Sequence, residues 1–239
     1  MTSLDIAYSC SHFPGNDQTP EEIECTEKNL KELPHQLDIS YGDQTYDLWG
    51  ENVPVKKLFV FVHGGYWTHG DKRFNTSAIS AIVRSGIAHA VCIGYDLAPT
   101  KALPDIIAQV TSAVKFLSTK YADAEICLSG HSAGAHLVVK ALEKCEKLKN
   151  VKKVILFCGV YQLEELVHTY VGRETRLSFD VAKAVSINTE NLCDRLTDKR
   201  ILLLGAEHDA PKVKSQSARL HEKLAAIPEI DVRFQVSDF

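Results

Sequence analysis

Short apolar runs alternate along this chain with longer segments whose apolar residues recur every three to four positions. Residues 57–62 (Lys-Leu-Phe-Val-Phe-Val) have no polar alternation, which predicts a strand covered on both faces. Beyond them the pattern predicts a helix at 77–84 with Gly86 past its end, a strand at 88–94 and a helix at 104–121. Ile107, Val110, Val114 and Leu117 fall on one face of that last helix. A strand at 125–129, a helix at 133–145 and a strand at 153–157 follow. The rhythm breaks at 159–198, a mostly helical stretch too long for a crossover loop, then resumes with a strand at 200–205, a helix at 212–225 and a strand at 232–236. Earlier, 37–41 and 45–49 alternate around Gly42-Asp43 and predict an antiparallel hairpin. Before it, Thr19-Pro20-Glu21-Glu22 reads as a capped helix start, the helix running to Leu33 and stopped by Pro34, while residues 1–18 read as an irregular polar arm.

Such alternation predicts one α/β domain over 1–239: a mostly parallel sheet with helices on both faces, and 159–198 inserted as a small cap over the carboxyl ends of the strands. A formal charge of -4 gives no electrostatic footprint for nucleic acid or an anionic membrane. The longest apolar run, Leu58 to Val62, is strand-sized, and Met1 to Cys10 lacks the basic and apolar blocks of a signal peptide, so the expected compartment is the cytoplasm. The seven cysteines include no CxxC pair and no HExxH occurs, which predicts reduced thiols and neither a metal nor another cofactor. The expected partners are a small-molecule substrate and, at most, a second copy in a homodimer.

The chemistry centres on Gly130-His131-Ser132-Ala133-Gly134, a G-x-S-x-G between a predicted strand and a predicted helix. In that context the pattern is a nucleophile elbow, its glycines leaving room for a serine lifted onto a tight turn. A serine hydroxyl at neutral pH needs a base and a place for developing negative charge. His63-Gly64-Gly65-Tyr66-Trp67, directly after the strand 57–62, meets the second need: backbone N–H groups of Gly64 and Gly65, with that of Ala133, can form an oxyanion hole. The bland alternative for each motif is a plain small-residue turn.

HGGYW together with GHSAGAH resembles the kynurenine formamidase (arylformamidase) branch of the α/β-hydrolase superfamily, whose oxyanion motif is HGGxW. Tyr95-Asp96-Leu97-Ala98-Pro99 resembles the Y-x-L-A-P loop of hormone-sensitive-lipase-like esterases, and Gly159-Val160-Tyr161 the formamidase cap entrance. The likeness runs from about Leu37 to the end. It implies Ser132 as nucleophile, Asp209 as triad acid with Glu207 as its rival, and Tyr66 and Trp67 lining the aromatic end of a substrate pocket. Core packing under the loop is the alternative for these two aromatics. The implied reaction is metal-free cleavage of N-formyl-L-kynurenine to L-kynurenine and formate in tryptophan catabolism, through a formyl-serine.

The family's base is a histidine in the turn after the strand that here spans 232–236, yet Ser237-Asp238-Phe239 follows and holds none. His221 reads as a helix-face residue, His208 adjoins the acid, His131 and His136 read as packing or hydrogen-bonding residues, and His63 as a brace. The expectation is therefore a formamidase-like chain lacking its triad histidine and closing helix, with weak activity and one sheet face bare. A small-ester carboxylesterase and a non-catalytic relative are the alternatives.

Overall fold

In a computed structural model, residues 1–9, 20–73 and 76–237 are described, with only the backbone at 20–22. The chain runs α1 (Ser3–Ala7), α2 (Pro20–Glu32), β1 (His35–Tyr41), β2 (Gln44–Trp49), β3 (Lys57–Val62), α3 (Thr76–Arg84), β4 (His89–Ile93), α4 (Leu103–Lys120), β5 (Glu125–His131), α5 (Ala133–Lys144) and β6 (Val151–Phe157). After an insertion of short helices, α6 (Tyr170–Thr175), α7 (Phe179–Val185) and α8 (Cys193–Leu196), come β7 (Arg200–Ala206), α9 (Pro211–Ala225) and β8 (Asp231–Ser237). The eight strands form one sheet in the order β1-β2-β4-β3-β5-β6-β7-β8. Its first two pairings are antiparallel and the other five parallel. This is the mostly parallel α/β sheet that the pattern predicts, and the α/β-hydrolase architecture that the motif resemblance implies. Among the described residues no helix is long and apolar enough to cross a membrane.

Register divides the side chains between two cores. The row Val60, Leu128, Val154, Ile201 faces α4, α5 and α9 in the larger core. Phe59 and Phe61 face the opposite side with Ile79 of α3 and Leu33 beyond α2. On that second face Ile155 and Leu202, in register with Phe61 through Ser129, are half-buried, as is Leu204.

The beginning of the chain differs from the expected irregular arm. Thr2 caps α1 in a reciprocal box with Asp5, and Asp5 and Tyr8 are buried. Asp5 accepts a hydrogen bond from the Tyr170 N–H at 2.6 Å, fastening this segment to the insertion. The T-x-x-D pattern at Thr2 is the sequence signal that could have revealed it. The Thr19 cap, its Glu22 partner and residues 10–18 of the arm lie outside the described residues.

Candidate active site

Ser132 stands at the β5–α5 junction with φ 52° and ψ -116°, a conformation that costs a residue bearing a Cβ and that marks functional turns. Its N–H donates to the Phe157 carbonyl at 2.8 Å, so the end of β6 pins the turn. The glycines around it are fixed by close backbone approach. A Cβ on Gly134 would lie 2.1 Å from the Val62 carbonyl oxygen, and one on Gly130 would lie 2.4 Å from that of Gly134. One on Gly64 would meet the His131 carbonyl oxygen at 2.9 Å and Ser132 Cβ at 3.1 Å. The loop after β3 and the turn after β5 therefore run side by side, with the Gly64 backbone against Ser132.

That loop is tightly folded. Gly65, Tyr66 and Trp67 all have positive φ, and the Gly65 carbonyl accepts from the N–H groups of Thr68 (3.0 Å) and His69 (2.9 Å). His63 is a brace, as read from sequence. Its ring stacks on Tyr95 with centroids 4.1 Å apart, and its Nδ1–H donates to the Gly64 carbonyl at 2.8 Å. Burial lowers its pKa to about 4, so it is neutral near pH 7. Tyr95 donates to the His63 carbonyl at 2.9 Å, and the Ala98 N–H donates to that of Trp67 at 2.8 Å, so the Tyr95–Pro99 segment supports the whole loop.

The two aromatics of the loop do not stand as a shared pocket wall. Trp67 is fully buried, edge-on to His136 with centroids 5.2 Å apart, and its Nε1 has no hydrogen-bond partner among the described residues. Trp67, expected as a substrate contact, has φ 62° and packs in the core against His136 of α5. Tyr66 is half-buried, edge-on to Tyr170, and its hydroxyl donates to the Tyr8 carbonyl at 2.6 Å. Sequence reasoning missed Tyr8 and Tyr170 altogether.

Asp209 follows β7 and is buried, with Oδ1 accepting from the Ala210 N–H at 2.7 Å. Its rival Glu207 is exposed. Ala133 opens α5 directly after Ser132, where its N–H is one of the helix's unbonded terminal donors. His136 is buried, with pKa lowered to about 4 by that burial, and its Nε2–H donates to the Val185 carbonyl of α7 at 2.9 Å. His131 is exposed, with Nδ1 turned toward Gly64. His208 is exposed, and His221 tilts against Phe234. A cleft of about 420 Å³ lies elsewhere, between Tyr8, the start of the insertion and α9, and neither Ser132 nor Asp209 lines it.

A strained serine between a parallel strand and a helix, flanked by a glycine loop, defines a class. The family model described as alpha/beta hydrolase fold matches residues 59–229, and the chain belongs to that family. Within it the relatives are specific. The chain is 34% identical to kynurenine formamidase of Drosophila melanogaster over 213 residues, 81% of this chain and 69% of that one. It is 26% identical to kynurenine formamidase of Danio rerio over 241 residues, 92% of this chain and 82% of that one. Among solved structures, a candidate thioesterase of Silicibacter sp. tm1040 superposes with a TM-score of 0.83 at 25% identity, covering 100% of this chain and 92% of the other.

Proposed function

We propose that this chain is a serine hydrolase of the kynurenine formamidase type, acting in the cytoplasm on N-formyl-L-kynurenine and releasing L-kynurenine and formate. The observation that carries the site assignment is Ser132 held at φ 52° with the Gly64 backbone packed against it. Similarity to kynurenine formamidases over most of the chain supports the substrate class.

In this reading Ser132 Oγ attacks the formyl carbon. The carbonyl electrons move onto oxygen, where N–H groups of Gly64, Gly65 and Ala133 take up the charge. Collapse breaks the C–N bond, the proton that the base takes from Ser132 Oγ during attack passes to the arylamine nitrogen, which leaves as L-kynurenine, and a formyl-serine remains. Water then cleaves that ester to formate and restores the hydroxyl. Asp209, buried at the end of β7, is the carboxylate that would orient the base. His63 and His136 each donate a ring N–H to a backbone carbonyl, of Gly64 and Val185.

The test is formate release from N-formyl-L-kynurenine, with Ser132→Ala as blank and circular dichroism to show that both proteins are folded. Turnover well above the blank supports the reading. A folded parent that matches its blank overturns it as an account of this chain, and equal or faster hydrolysis of a short p-nitrophenyl ester would make the chain an esterase instead.

A further inference from the structure

The far end of the glycine loop is held by a partly buried charge cluster that no motif reading accounts for. Lys72 Nζ lies 2.5 Å from Asp38 Oδ1, 2.6 Å from Thr45 Oγ1 and 3.4 Å from Asp47 Oδ1. Arg73 places NH2 2.6 Å from Asp38 Oδ2 and Nε 3.0 Å from Asp47 Oδ2. Asp47 is completely buried, and Lys72 is buried apart from about a twelfth of its side chain. A carboxylate so placed is tolerated because both cations and the Asp38 N–H, at 2.8 Å, compensate it. Asp38 reaches the cations from a bulge: the β1–β2 register shifts between Gln36 and Ile39, and Asp38 sits at φ 56°. The Lys72 stem also packs on Gly94, where an added Cβ would lie 3.3 Å from Lys72 Cδ. Gly94 is the residue before Tyr95, the ring on which His63 stacks.

We propose that Lys72 and Arg73, clasped by Asp38 and Asp47, are positioning residues that hold the 64–70 loop in register with Ser132. The inference rests on the hydrolase reading for its catalytic consequence but not for its mechanical one. The loop has two limbs. His63 fixes the incoming limb by its stack on Tyr95, and the clasp fixes the outgoing limb to the β1–β2 hairpin. Gly70 lies between them, where a Cβ would stand 2.8 Å from the Gly64 carbonyl oxygen, so a shift of the outgoing limb is transmitted to Gly64.

Two variants test this. Asp38→Asn removes the more exposed anion and leaves Asp47 paired. Lys72→Met with Asp47→Asn removes a buried cation together with its buried partner, which avoids stranding one charge. Hydrogen exchange in peptides covering 63–73 is compared with that in β5, alongside kcat and KM for formate release. The expected result in both folded variants is exchange about tenfold or more faster in the loop, with β5 unchanged. It is accompanied by a fall in kcat of about tenfold at a KM within about threefold of the parent. Unchanged loop exchange overturns the clasp, and faster exchange with an unchanged kcat overturns its positioning role. If the parent releases no formate, the hydrolase reading fails on its own and the exchange data alone decide the clasp.

Discussion

Gly134→Ala adds one methyl group at the place where the chain is least able to receive it. The new Cβ would stand 2.1 Å from the Val62 carbonyl oxygen and 2.4 Å from that of His63, well inside van der Waals contact. Both obstacles are backbone, one at the end of β3 and one at the start of the glycine loop, so no side-chain rotation relieves the clash. Either α5 withdraws from the sheet or the loop is pushed away from Ser132. Overpacking of this kind costs about 3 kcal/mol, the upper part of the usual range. For a chain of 239 residues that corresponds to a fall in Tm of roughly 6–12 °C. A displacement of about 1 Å between the loop and Ser132 lowers turnover by about a hundredfold. Gly42→Ala is the control. Unlike Gly134 it has a positive φ (65°), but nothing lies within 4 Å of its Cβ, so the substitution costs about 1 kcal/mol of backbone strain and leaves turnover unchanged. Differential scanning fluorimetry and formate release read both effects. A Gly134→Ala protein that melts within about 2 °C of the parent and keeps its turnover would refute the claim that this contact sets the site.

Stability should also fall with pH in a defined window. Unfolded histidine titrates near 6.5, whereas burial holds His63 and His136 near 4, so between these values the unfolded chain binds more protons. The stabilisation is complete above about pH 6.5 and is lost as pH falls towards 4, at up to about 1.4 kcal/mol per pH unit for each ring. Urea midpoints between pH 7 and 4.5 measure this, and a slope that His136→Phe leaves unchanged would refute the role of that ring. Trp67→Phe should keep KM for N-formyl-L-kynurenine within about twofold, because a fully buried indole touches no substrate, and a large rise in KM would restore Trp67 to the pocket. Tyr66→Phe removes the hydrogen bond to the Tyr8 carbonyl, worth about 1 kcal/mol, and should speed proteolysis near the start of the chain. Unchanged cleavage kinetics would show that the segment is held without it.

The parts of the site legible in the sequence are those whose chemistry is local. Gly130 to Gly134 and His63 to Gly65 announce themselves because close backbone approach admits only glycine, and such constraints leave a trace at fixed spacing. The succession of strands and helices was legible for a similar reason: rows such as Val60, Leu128 and Val154 are apolar because α4, α5 and α9 cover them. Contacts made at long range were not legible. Asp5 reads as a surface acid in a polar arm, whereas its burial joins the Thr2 cap to a bond from Tyr170, 165 residues away, and to the Arg173 guanidinium. Trp67 beside a glycine turn is equally compatible with a pocket and a core, and its packing on His136 of α5, 69 residues away, leaves no local trace.

This division bears on how Ser132 keeps an unfavourable backbone angle. No single hydrogen bond holds it there. The Phe157 carbonyl fixes its N–H, Gly134 locks the first turn of α5 against β3, and Gly64 closes the third side. The insertion adds a fourth restraint, since His136 on the helix that Ser132 begins is bonded to Val185 in α7. Strain of roughly 1–3 kcal/mol persists only where surrounding structure over-determines it. Here those surroundings come from β3, β6, α5 and the insertion, which are far apart in the sequence. The elbow motif therefore marks where the strain is placed, and the long-range packing of the sheet and insertion is what maintains it.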